Sequence, residues 1–241
     1  LYTGSDGQPV LNFGYYVSDH TSPFSERWGG YYVTGTHGKM LHMGNLLTDR
    51  SQPLAEIDYS QGANISDLSG WFDTRPYLSA HSDIVALMVL EHQSQMQNLV
   101  TRARYEEVRG RYYDKALESN KDFRSDLSQR LVARAGNDLL KYMLFTGEFR
   151  LRAPVKGTSG FAREFSARGP RDRKGRSLYQ LDLVTRLFKY PMSYMVYTES
   201  FRKLPSRVMV HIRRELRKVL TASSPGDDYA HLSLKDRRAI F

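Results

Sequence analysis

The sequence predicts a mainly α protein in which a loop-rich N-terminal region with a few short strands precedes a bundle of four to five helices. Residues 1–78 mix aromatic and polar side chains between glycine and proline turn signals, the mark of short strands and irregular loops. From about residue 79 onward apolar residues recur at helical spacing. With 40% hydrophobic and 12% aromatic residues in a chain of 241, there is enough apolar surface for a core.

Taken in order, "DGQPVLNFGYYVSDHTSP" places a hairpin turn at Asp6-Gly7, and Pro53, Gly62, Gly70 and Pro76 punctuate a long non-helical connection. The longest helix starts near Ser79 behind a capping Ser or Asp, with Ile84, Val85, Met88, Met96, Leu99, Val100 and Ala103 on its apolar side. Leu127, Leu131, Ala135, Leu139 and Met143, in steps of four, make a second helix that Gly147 ends. Residues 148–180 read as loop with one short helical piece, and "LVTRLFKYPMSYMVYTESFRKLP" as helical on both sides of Pro191. Val208, Ile212, Leu216 and Val219 give an amphipathic helix, and Ser233 caps a last one. With no internal repeat, residues 1–78 and 79–241 are expected to pack as a single domain. The start at Leu1 and the roughly two-turn final helix read as a fragment of a longer chain.

No run of eighteen apolar residues occurs, so no transmembrane segment is expected. The absence of cysteine removes disulfides, thiolate metal sites and cysteine nucleophiles. The formal charge of +9 is uneven: residues 1–146 carry 14 Lys and Arg against 17 Asp and Glu, and residues 147–241 carry 21 against 9. The basic half suits an acidic partner, an anionic ligand or a membrane surface, or is a solvated face. No nucleic-acid motif accompanies it, so nucleic acid is not expected as a partner. Arg168, Arg171, Arg173, Lys174 and Arg176 form either an anion site or an exposed charged loop. Hydrolase chemistry finds little: "GTSGF" is not a nucleophile elbow, and no H-E-x-x-H occurs.

"ERWGGYYVTGTHGKMLHMGN", residues 26–45, carries the strongest site signal, with five glycines, two histidines and two methionines. Imidazole and thioether ligate haem iron, and glycine lets backbone approach a large flat ligand. His37, Met40, His42 and Met43 lie within seven residues. The bland alternative is a glycine-rich turn with buried Met and hydrogen-bonded His. On the long helix, His81 and His92 fall on the apolar stripe about 16 Å apart, too far to share one ion, and each is either a core residue or a ligand.

"DHTSPFSERWGGYYVTGTHGKMLHMGN", "SDIVALMVLEHQSQMQNLVTRARYE", "FAREFSARGPRDRKGRSLYQLDLVTRLFKYPMSY" and "YAHLSLKDRRAIF" together resemble a group of exported bacterial proteins labelled as containing a cytochrome c region. The resemblance covers nearly the whole chain. It implies a periplasmic or exported protein and haem c, attached through a Cys-x-x-Cys-His motif expected ahead of Leu1. On that basis His42, Met43 or His92 would be the metal ligand, with His42 preferred and His37 beside it in the cofactor pocket. Trp28, Tyr31 and Tyr32 would pack against the ring, and Arg27 would pair with a propionate. The expected function is c-type-cytochrome-associated electron transfer, as a carrier or structural subunit rather than an enzyme. Its partner would be a redox protein or a larger membrane-associated complex, and oligomerisation is left open. The alternative is a non-catalytic exported scaffold or interaction subunit of a larger assembly.

Overall fold

The computed structural model describes residues 2–3, 8–11, 14–47, 56–117 and 124–241. Its helices are α1 (Ile84–Leu117), α2 (Asp126–Met143), α3 (Phe161–Arg168), α4 (Glu199–Arg202), α5 (Ser206–Thr221) and α6 (Leu234–Ile240). Strands β1 (Tyr2–Thr3) and β2 (Pro9–Val10) pair antiparallel, Tyr2 opposite Val10 and Thr3 opposite Pro9. The chain is thus mainly helical behind a loop-rich front. The turn expected at Asp6-Gly7 lies outside the described residues.

The chain forms two compact units, residues 1–92 with 148–189 and residues 93–147 with 190–241. The first unit runs on to His92, and the start of α1 is knitted into the N-terminal loops. Thr34 N–H donates to the Ser82 carbonyl at 2.7 Å, and the Thr34 carbonyl accepts from Ile84 N–H at 2.8 Å. Thr36 and Lys156 exchange both of their backbone bonds at 2.8 Å. Single bridges of this kind satisfy buried loop backbone where no long strand is available.

Asp83 is the main fastener of the first unit. Buried just before α1, its carboxylate accepts from Val85 N–H at 2.8 Å, capping the helix, and from Ser159 N–H and Oγ–H at 2.9 and 2.6 Å. Gly157 lies so close to this carboxylate that a Cβ there would overlap it. α1 starts only at Ile84, so His81 precedes the helix and is exposed, whereas His92 is on the buried stripe; the expected pairing of the two on one face does not occur.

Residues 183–190, expected to be helical, are part of a turn. Asp182 accepts the amides of Val184 and Thr185 at 2.7 and 2.8 Å, Leu183 lies at φ +61°, and Leu181 bridges Phe188. A side chain that captures the next amides competes with the helix ladder, and here it prevails. After Pro191 come a 3₁₀ turn at Tyr194–Tyr197 and α4.

In the second unit, α2 packs on α5, and His211 reaches Asn137 across that contact with Nε2 2.8 Å from Oδ1. Buried Asp114 accepts Ser125 N–H and Oγ–H, both at 2.8 Å, while Arg207 lies against Asp114 at 3.4 Å and donates to Ser128 Oγ at 3.0 Å. The end of α1 and the starts of α2 and α5 are pinned together by these bonds. Ser233 and Asp236 form a capping box on α6, which aims buried Arg237 at the Val219 and Ala222 carbonyls ending α5.

Asp83→Ala removes a helix cap and the tie to Ser159 at once. It should lower the free energy of unfolding by about 2–4 kcal/mol in denaturant titration, with Asp83→Asn losing less. An Asp83→Ala variant as stable as the parent would contradict this role.

Candidate functional site

Glycine-rich residues 26–45 fold as an ordered loop clamped by two asparagines. Asn45, at φ +62°, accepts from Val33 N–H through Oδ1 at 2.7 Å and donates through Nδ2 to the Val33 and Gly62 carbonyls at 2.6 and 2.8 Å. Asn64, at φ +56°, accepts from His37 N–H at 2.8 Å and donates to the Gly38 carbonyl at 3.0 Å. Asparagine tolerates this left-handed backbone better than most residues, and the amide bonds repay the rest. Trp28 also lies at φ +63°, a strained position for a bulky residue that its packing holds in place.

That packing is a nest of rings. Phe24 meets Trp28 edge-on at 5.2 Å between centroids, Trp28 meets His42 at 5.3 Å, and His37 and His42 lie 4.7 Å apart. Phe149 stacks on Phe24 at 5.6 Å. Phe24, Trp28, His37 and His42 are all buried, His37 completely. Met43 is buried elsewhere, against Val10, Leu46, Ile57 and Tyr59. Tyr31 and Tyr32 are exposed, and Tyr32 packs on Phe72 rather than on the nest.

Arg27 is buried under the nest, where each of its guanidinium nitrogens donates a hydrogen bond. Nε and Nη2 donate to the Ser22 carbonyl at 2.9 and 2.6 Å, Nη2 also to the His20 carbonyl at 3.2 Å, and Nη1 to Glu91 at 3.1 Å. The rings of Phe24, Trp28 and Phe149 lie within 6.0 Å of it. Burial pushes the Glu91 carboxyl up to about 7, although Arg27 and Ser18 pull it down, and burial likewise pushes Glu148 to about 7. The same burial lowers Arg27, with Glu91 opposing. The guanidinium keeps its charge and the carboxyl yields, since arginine starts far above the working pH range.

His92 and His20, 72 positions apart in sequence, stack with Nδ1 atoms 2.8 Å apart, both buried. One Nδ1 must donate and the other accept, so the pair shares a proton. Burial lowers His92 to about 3. His42 is also lowered to about 3, by burial and then by His37, and burial lowers His37 despite the Met40 backbone.

These contacts set the fit to a haem. An axial histidine needs an unshared ring lone pair facing open space, usually with the other nitrogen protonated and donating. His42 spends its Nδ1 lone pair on Gly44 N–H at 3.0 Å, and His37 spends its Nε2 lone pair on Asn64 N–H at 3.2 Å. His37 Nδ1 makes no hydrogen bond of good geometry, yet as the protonated nitrogen it has no lone pair to offer. In this conformation neither His37 nor His42 has a ring lone pair free to serve as an axial ligand. Among the described residues, no group of three or more His, Cys, Asp or Glu converges to hold a metal ion, and no helix is long and apolar enough to cross a membrane. No family model matches the chain, and no curated protein or solved structure does either.

His20, Glu148, Asn45 and Asn64 complete this cluster, and none stands out in the sequence. The nearest signal is Gly44-Asn45, a pair that favours left-handed backbone.

The sign of the pH dependence follows from the carboxyls. A folded-state value raised above the unfolded one means stability that is full below about pH 4.5 and is lost as pH rises through about 7. The lowered imidazoles act oppositely, since their stability is present above about 6.5 and is lost toward 3. Glu91→Gln isolates one carboxyl. The unfolding free energy of the parent minus that of Glu91→Gln should fall between pH 5 and pH 7.5 in chemical denaturation (about the interval set by the two reference values); a difference that rises with pH would refute the burial argument.

Proposed function

We propose that the chain is a non-catalytic interaction subunit of an exported, cytochrome-associated assembly, and that its second unit docks an acidic segment of a partner protein. The carrying observation is where the charge lies. The second unit holds 20 Lys and Arg against 12 Asp and Glu, and the first holds 15 against 14.

Within the second unit a groove of about 990 Å³ runs beside α2 and α5, with Leu131, Val219 and Pro225 among its apolar lining. Its acids are already neutralised: Asp138 by Arg102 at 3.2 Å, Glu215 by Arg214 and Lys218 at 2.8 and 3.0 Å, and Asp228 by Lys141 at 2.7 Å. Arg130 and Arg134 on the rim are exposed and have no ion-pair partner among the described residues. Two uncommitted guanidiniums over an apolar floor suit a peptide that alternates carboxylates with apolar residues. Export and the association with a cytochrome rest on the family resemblance. Electron transfer through His42, Met43 or His92 would require the first unit to open and the imidazoles to change hydrogen-bond partners, so the interaction role is favoured.

Fluorescence polarisation with a labelled peptide of alternating Glu and Leu should show binding that weakens as salt rises. Arg130→Glu with Arg134→Glu should weaken it about tenfold or more. Equal binding by the double variant would overturn the docking site. A Soret band in protein from its native source, altered by His42→Ala, would overturn the non-catalytic reading and restore electron transfer.

A further inference from the structure

The first unit also carries a cleft that the docking role does not use. It measures about 710 Å³ and is lined by Pro23, Phe24, Ser25, residues 38–41, Phe149, Arg152 and Ala153. This is within the size range of small-molecule sites. Its accessible apolar surface comes from half-buried Phe149 and from Leu41, 39% exposed at the edge, while Phe24 and Met40 are buried beneath them and support the wall. A part-exposed phenyl ring favours a flat aromatic guest over an alkyl chain.

The polar side is equally one-sided. Lys39 and Arg152 are exposed, neither has a carboxylate partner among the described residues, and no Asp or Glu lines the cleft. Two walls are fixed against each other at the closed end. Arg152 N–H donates to Met40 Sδ at 3.2 Å, and Gly38 lies at φ +63° so near Ala153 that an added Cβ would come within 2.8 Å of the Ala153 Cβ. The backbone that presents Lys39 and Arg152 is therefore held in place, and a charged guest meets cations whose attachment points are already positioned.

We propose that this cleft binds a small aromatic acid, its ring system against Phe149 and Leu41 and its anionic group between Lys39 and Arg152. The site is independent of the α2–α5 groove, so either can fail alone.

The test titrates the whole chain with 1-anilinonaphthalene-8-sulfonate by fluorescence, then displaces the dye with 2-naphthoate, 2-naphthalenemethanol or decanoate. Lys39→Glu with Arg152→Glu should weaken dye binding about tenfold or more, and Ala153→Trp, which fills the cleft, should abolish it. Arg171→Glu with Lys174→Glu, the same charge change on an exposed loop, should leave it unchanged. Naphthoate should displace the dye at concentrations about tenfold below those of the alcohol or decanoate. The proposal is overturned if the cleft variants bind like the parent, if the loop variant weakens binding as much as the cleft variants, or if decanoate or the alcohol competes as well as naphthoate. Circular dichroism melts of each variant identify any loss of fold. If Ala153→Trp fails to fold, the charge pair and the displacement series decide alone, since both cations are exposed.

Discussion

The first unit depends on the burial of one guanidinium. Arg27 has almost no solvent contact, and its donors reach the Ser22 and His20 carbonyls and the Glu91 carboxylate. Removing such an ion from water costs several kcal/mol unless its nitrogens find acceptors and a counter-charge. That requirement fixes the path of residues 20–27 against α1, and it places Phe24, Trp28 and Phe149 around the cation. Once those rings are positioned, His37 and His42 have a wall to pack on, and His20 is delivered to His92. The cost is visible in Glu91 and Glu148, two carboxyls held near neutrality by the burial that the cation requires.

Helices α1, α2 and α5 are legible in the sequence because their information is local. Val85, Met88, His92, Met96, Val100, Ala103 and Glu107 continue one buried stripe at helical spacing, and Ser233 caps the last helix as its type and position suggest. The turn in place of a helix at residues 183–190 has a physical cause as well. The apolar pattern there fits a helix, but Asp182 takes the amides that a helix would need. The cross-links of the first unit are not legible in the sequence, because single backbone bridges such as Thr36 with Lys156 join segments 120 positions apart and leave no periodic trace.

The residues of the candidate site were visible by type, and their chemical state was not. His37 and His42 stand out as ligand types in a glycine-rich run, but whether an imidazole is a ligand or a strut depends on which nitrogen carries the proton. Asn64 N–H and Gly44 N–H decide that here. The same run, read through its exposed side chains instead of its buried ones, contributes Lys39 and Leu41 to the cleft. Ligand-type residues thus build the wall, and their ordinary neighbours face the solvent.

The packing around Arg27 locks His42 and His92 as neutral struts by burial and hydrogen bonds. Side-chain ¹⁵N NMR of the histidines across a pH series measures this most directly. His42 and His92 should stay neutral well below the ordinary histidine range, toward about 3, with the His42 proton on Nε2. A midpoint near the ordinary value of about 6.5 for both, or a His42 proton on Nδ1, would contradict it.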